Sequence, residues 1–192
     1  MNIPQVDFYV LEDGEIVTKT TKDLFMGKRS VIVALPGAFT PTCSTQQVPG
    51  FNAITDDLKE NYGIDQVVVL AVNDAYVMKA WQEKLGDQAD KLVFLGDGNG
   101  TFTDGMKALV SKGNKGMGMR SWRCVMIFNE NCVIEHALLE AGLRSNASDD
   151  PYEETTPERL VGALVMLNAN NAAAGEADAN IAHTFKELAA KV

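Results

Sequence analysis

With 192 residues, 46% of them hydrophobic and 22% charged, the chain has the size and balance of one compact domain with an ordinary core and at most a short appendage. A formal net charge of -9 and the lack of any Lys/Arg-rich block set nucleic acid and anionic membrane surfaces against the molecule's own field, so neither is an expected partner. The N-terminal stretch has no basic segment leading into an apolar core, and no apolar run approaches the ~18 residues of a membrane span, which predicts a soluble chain without an export signal. Its three cysteines, Cys43, Cys124 and Cys132, are an odd number without a C-x-x-C pair. That argues against a disulfide scaffold and against a metal site, and for a reducing compartment, most simply the cytoplasm.

In chain order, "VDFYVLEDGEIVTKT" predicts two strands around the Asp13-Gly14 turn. "RSVIVAL" is a continuous apolar run bounded by Gly27 and Pro36, as suits a strand buried on both faces of a sheet. A helix interrupted at Pro49 is expected over "CSTQQVPGFNAITDDLKENYG", then a strand at "QVVVLAV", a helix at "DAYVMKAWQEKLG" opened by Asn73 and Asp74, and a strand at "KLVFL". "GDGNG" has neither the acidic spacing of an EF-hand nor the Lys-Ser/Thr of a P-loop, and is expected to be a strand-to-helix turn. "SKGNKGMGMR" is expected to be a flexible basic loop, "RCVMIFNENCVIEHALLE" two strands joined at Asn129-Glu130, and "TTPERLVGALVML" a helix capped by Thr156 with Pro157 at its first position. Alternation of strand and helix implies an α/β fold with a mainly parallel central sheet, read as βαβ followed by ββα. Residues 1–167 are expected to form the domain and 168–192 a linker of small and polar residues with a short helix at about 181–190. Trp81 and Trp122 are expected in packing roles.

The chemistry centres on "LPGAFTPTCS". A thiol at the carboxyl end of a buried parallel strand and the start of a helix sits where α/β folds place their sites. The helix end offers free N–H groups and a partial positive charge, which favour thiolate over thiol. Thr40, three residues before Cys43, could bring its hydroxyl near the sulfur as donor to the thiolate and as acceptor from an incoming hydroxyl. Pro36 and Pro41 stiffen the chain and offer no N–H to water.

Pro36, Thr40 and Cys43 fit the P-x-x-x-T/S-x-x-C signature of peroxiredoxins, and "PGAFTPTCS" with the following "VPGF" resembles the type-five subfamily. That group includes the plant type II enzymes and the peroxiredoxin parts of bacterial peroxiredoxin-glutaredoxin fusions. "VNDAYVMKAW", "FLGDGNGTFTDGM" and "GMGMRSWRCVMIFNENCVIE" are similar to the same group, so the resemblance runs from about Ile3 to Leu167. It implies a thioredoxin-like fold, a central mixed sheet flanked by helices, with the N-terminal β-hairpin added. It also implies that Cys43 is the peroxidatic cysteine and becomes a sulfenic acid, that Thr40 binds sulfur and peroxide, and that Pro36 shields the sulfenate. Gly37 would join Thr40, Cys43 and Arg123 in binding the substrate. The family arginine carries over to Arg123, on the first strand of the late hairpin. A guanidinium there would stabilise the charge that develops on the departing oxygen and would never lose its own proton. Arg120 is a weaker candidate, expected to orient the site or pair with an acidic residue.

Two departures from the family matter. Many relatives have histidine four residues after the peroxidatic cysteine, where this chain has Gln47, an amide that can still hydrogen-bond at a site edge. The resolving cysteine of plant relatives falls on Val69 here, and that of animal relatives falls in a segment at roughly 141–155 without any cysteine. If Arg123 faces the site, alternation along a strand points Cys124 away from it, and Cys132 is expected at the start of the next strand. Both read as packing thiols, so a one-cysteine mechanism is expected, with an external thiol such as glutathione with glutaredoxin, or thioredoxin, as reductant and no bound cofactor. By resemblance a homodimer is expected. The rival readings are a two-cysteine peroxidase using Cys124 or Cys132, a cysteine hydrolase, for which neither His136 nor His183 has a supporting motif, and a non-catalytic thioredoxin-fold binding or chaperone module.

Overall fold

A computed structural model of the chain describes residues 2–143 and 149–172. Strands β1 (Asp7–Glu12) and β2 (Glu15–Thr20) pair as an antiparallel hairpin, with Asp13 and Gly14 both at positive φ, as a two-residue turn between right-twisted strands requires. A short helix α1 (Thr21–Phe25) follows. The sequence reading does not include it, although Thr20 and Asp23 form a reciprocal capping box at its start. Strand β3 (Ser30–Ala34) is buried at every position.

The chain then turns through Pro36 to Thr42 into a π-helical turn, Cys43–Gln47, which runs directly into α2 (Val48–Tyr62). The expected break at Pro49 is displaced. Proline in a regular helix would clash with the carbonyl four residues back, and the π turn widens the helix just before that point, so Pro49 sits in the first turn of α2. Next come β4 (Gln66–Ala71), α3 (Ala75–Leu85), β5 (Val93–Gly96) and α4 (Thr101–Gly105). Gly96 to Gly100 make the expected strand-to-helix turn. Buried Asp97 accepts from the Phe102 and Thr103 backbone N–H groups at 3.2 and 2.8 Å, and so caps α4.

The stretch read as a flexible loop is instead ordered by pairing. Strands β6 (Leu109–Ser111) and β7 (Met119–Ser121) are antiparallel neighbours around a 3-10 turn, because Val110 and Ser121 each have a buried face to offer. Strands β8 (Cys124–Phe128) and β9 (Ile134–Leu139) form the late hairpin. Cys132 lies in the turn at φ 60 and not at the start of β9, and Arg123 immediately precedes β8. The last described helix, α5, spans residues 157–172, with Thr156 Oγ1 accepting from the Arg159 N–H at 3.4 Å. It continues past the expected boundary at 167 because residues 168–172 contain no glycine or proline to stop it. The remaining linker and the helix at about 181–190 lie outside the described residues.

The main sheet has the order β5-β4-β3-β8-β9, parallel from β3 through β5 and antiparallel at β8 and β9. Alternation splits its side chains between two cores. Val31, Val33, Val67, Val69, Val125 and Ile127 face α2, α3 and α5, together with Cys43. Ile32, Leu70, Cys124, Met126 and Phe128 face the other way, onto Phe8, Phe25, Phe102 and Trp122. The fold is the thioredoxin-like one, with the β1–β2 hairpin added.

Candidate active site

The site forms beyond the carboxyl end of β3, the middle strand of the sheet, where the loop 36–40 delivers Cys43 to the first helical turn, which Pro41 and Thr42 begin. Pro36 and Gly37 are buried, Thr40 is half-buried and Phe39 stands exposed at φ 61, a conformation that costs a non-glycine residue on the order of 1 kcal/mol. The Ser44 N–H donates to the Thr40 carbonyl at 3.0 Å, and the Ser44 hydroxyl accepts from the Trp81 indole at 3.0 Å, which ties the turn to α3.

Cys43 is fully buried, and its sulfur accepts a hydrogen bond from Arg123 Nη1 at 3.4 Å. The guanidinium is 1% exposed and every arm is held. Nη1 also donates to Gln47 Oε1, Nη2 donates to Asp150 Oδ1 at 2.5 Å, Nε donates to the Pro151 carbonyl at 3.0 Å, and the Tyr152 ring lies 5.4 Å from the guanidinium carbon. Burial opposes the charge of Arg123, but the Cys43 sulfur and the Asp150 carboxylate outweigh it and hold the group above its ordinary range. Burial pushes the neighbouring Tyr152 phenol up to about 12, with Glu158 adding to it.

Gln47 is not at the site edge. It is fully buried with its carbonyl oxygen on Arg123, while its Nε2 has no hydrogen-bond partner among the described residues, an arrangement that costs about 1–3 kcal/mol. Thr40 also differs from expectation. Its hydroxyl donates to the Gly37 carbonyl at 2.8 Å and so spends its proton away from the sulfur, leaving its lone pairs to accept.

Arg120 turns away from the thiol. Its Nη1 donates to Asn73 Oδ1 at 3.1 Å and its Nε to the Met117 carbonyl at 2.9 Å, neither of them acidic. The same Asn73 oxygen accepts from the Ala38 N–H at 3.0 Å, so Arg120 and Asn73 support loop 36–40 from behind. A methyl group on Gly37 would meet Arg120 Nη1 at 2.7 Å, which explains why glycine stands there. Of the two residues expected to open α3, Asp74 does so and Asn73 does not. Asp74 caps α3, through the Val77 N–H, and Asn73 belongs to the loop.

Cys124 and Cys132 lie in the core on the opposite side of the sheet from Cys43. Burial pushes the Cys124 thiol up to about 12 and raises that of Cys132, with Lys22 opposing. Beyond Asn73, the sequence pattern does not point to Asp150 or Tyr152.

Comparison with known proteins adds a family context. The Redoxin family model matches residues 2–150. Peroxiredoxin y4vD of Sinorhizobium fredii is 46% identical over 146 residues, 76% of each chain. Hybrid peroxiredoxin hyPrx5 of Haemophilus influenzae is 38% identical over 159 residues, 83% of this chain and 63% of that protein. Among solved structures, the Plasmodium falciparum antioxidant protein, a 1-Cys peroxiredoxin, superposes with a TM-score of 0.79 at 34% identity, covering 85% of this chain and 96% of that one.

Proposed function

Since the chain belongs to the peroxiredoxins, the thiol-dependent peroxidases, we propose that Cys43 is its peroxidatic cysteine and that it works without a resolving cysteine of its own. The observation that carries this reading is the hydrogen bond from the buried Arg123 guanidinium to the Cys43 sulfur at the first turn of a helix. The thiolate attacks the terminal oxygen of a hydroperoxide, the O–O bond breaks, and the departing alkoxide or hydroxide takes up a proton. Cys43 is left two electrons oxidised, as a sulfenic acid. Charge grows on the departing oxygen as the S–O bond forms, so the guanidinium is worth more in the transition state than before it. Thr40, whose proton is already given to Gly37, accepts the hydroxyl of the incoming peroxide. Pro36 and Gly37, both buried, are assigned the role of shielding the sulfenate and admitting the substrate, and neither offers a side-chain donor to water.

An external thiol then condenses with the sulfenic acid, releasing water and forming a mixed disulfide, which a second thiol reduces. The separation of Cys124 and Cys132 from Cys43 by the sheet supports this one-cysteine cycle, as does the likeness to a 1-Cys peroxiredoxin. Glutathione with glutaredoxin is the proposed reductant, with thioredoxin as the alternative, and hydrogen peroxide and small organic hydroperoxides are the proposed substrates. A cytoplasmic homodimer belongs to the same reading.

Intact-mass analysis of reduced protein, quenched within milliseconds of adding one equivalent of hydrogen peroxide, tests it. Gain of one oxygen that vanishes in Cys43→Ser is expected. Loss of two hydrogens would assign resolution to Cys124 or Cys132, and the absence of any fast change would remove the peroxidase reading.

A further inference from the structure

We propose that the buried carboxylate of Glu140 is a positioning residue of this site, aiming Arg123 at Cys43 by clamping the segment 149–155 over the guanidinium. Glu140 lies just past β9 and is 2% exposed. An isolated buried carboxylate is costly and persists only where several donors meet it. Here a single oxygen, Oε1, accepts from the backbone N–H groups of Glu153, Glu154 and Thr155 at 3.0, 2.9 and 2.8 Å, and from the Thr155 hydroxyl at 2.8 Å. The main chain of the same residue is tied to the short stretch before β8 that carries the arginine. Its N–H donates to the Arg123 carbonyl at 3.3 Å, and its carbonyl accepts from the Trp122 indole at 2.9 Å.

The connections close on themselves. Glu140 holds 153–155, and the same segment supplies Asp150 Oδ1 and the Pro151 carbonyl to the Arg123 side chain. Its far end is held independently by Lys112, itself 1% exposed, which donates from Nζ to the Asp149 carbonyl and lies 4.8 Å from the centre of the Trp122 ring. Two buried ionic groups thus pin either end of the segment, and the guanidinium is gripped between them. Without the anchor at Glu140, Arg123 keeps Gln47 but loses the fixed position of the groups on its outer arms. A displacement of about 1 Å in such a group can cost on the order of 10²-fold in rate.

This inference rests on Cys43 and Arg123 acting as proposed above, so its test includes a reaction that uses no peroxide. In the full-length protein, Glu140→Gln keeps the side-chain shape and weakens the acceptor. We expect a loss of about 10-fold or more in the second-order rate with hydrogen peroxide, and a parallel loss in the rate of Cys43 alkylation by iodoacetamide at neutral pH. In an Arg123→Met background, Glu140→Gln should change both rates less than about two-fold, since residues acting through one group are not additive. An equal loss in both backgrounds, or unchanged alkylation in the single variant, would overturn the proposal. If Glu140→Gln does not fold, Lys112→Met, which loosens the other end of the segment, is read by the same criteria. Failure of wild-type protein to react with peroxide would overturn the peroxidase reading, and the alkylation rates would still decide the role of Glu140.

Discussion

Cys43 and Cys124 are both buried, at 0% and 4% exposure, and differ only in what meets the sulfur. Cys124 shares its apolar sheet face with Ile32, Met126 and Phe128, and with nothing but desolvation acting on it the thiol is held in its protonated, unreactive form through the neutral range. Cys43 belongs to an equally apolar cluster that includes Leu35, Val48 and Phe51, but it also has a guanidinium at 3.4 Å and lies at the start of a helix. Burial alone therefore makes a packing thiol. Burial with a cation that cannot leave is the setting that the proposed peroxidatic role of Cys43 requires.

The contrast can be broken most completely at the sulfur, where Cys43→Ser should abolish gain of oxygen from peroxide while Cys124→Ala leaves it intact, as read by quenched mass analysis. Next in size, Arg123→Met turns Cys43 into a thiol with the surroundings of Cys124, and stopped-flow kinetics should show a fall of about 10²–10³-fold in peroxide reactivity, the scale of losing a preorganised electrostatic partner. Retained reactivity would remove Arg123 from the mechanism. Thr40→Val keeps the shape and deletes the acceptor for peroxide and the bond to Gly37. A fall of about 10²-fold in peroxide reactivity, with alkylation by iodoacetamide much less affected, would separate peroxide binding from activation of the thiol.

Gly37→Ala presses on Arg120 and should shift the loop by a few tenths of an ångström, for a loss of about 10-fold that Arg120→Ala partly restores by making room. The smallest effect belongs to Cys124 itself. Its folded value lies above the ordinary thiol value, so the stability linked to it is complete below pH 9 and is lost as pH rises towards about 12. Denaturant melts of Cys124→Ala should accordingly show a shallower alkaline decline than wild type.

Much of this was legible in local patterns. The Asp13-Gly14 pair specified its hairpin because few residues tolerate two successive positive φ angles, and the unbroken apolar runs at 31–35 and 67–71 marked the strands buried on both faces. Alternation was enough to send Cys124 away from Arg123. The misses share a cause. Asn73 supports Ala38 across 35 residues, and Glu140 meets a segment 13 to 15 residues on, with partners that are mostly backbone N–H groups and carry no letter in the sequence. The bond that the Thr40 hydroxyl makes, to Gly37, does not follow from its position in the sequence, since a hydroxyl rotor chooses its acceptor from the folded surroundings.

The sequence by itself determined where most of the strands and helices lie, which thiol stands at the end of a buried strand, and that a proline, a threonine and a helix start stand near it in the chain, because these follow from side-chain periodicity and backbone restriction within a few residues. Only the tertiary structure decided that Arg120 supports a loop while Arg123 reaches the sulfur, that Gln47 is buried against that arginine, and that Glu140, Lys112 and Asp150 determine where the guanidinium points. Charge and hydrogen bonding act over a few ångströms in space and are indifferent to separation along the chain, so their partners are chosen only when the fold brings them together.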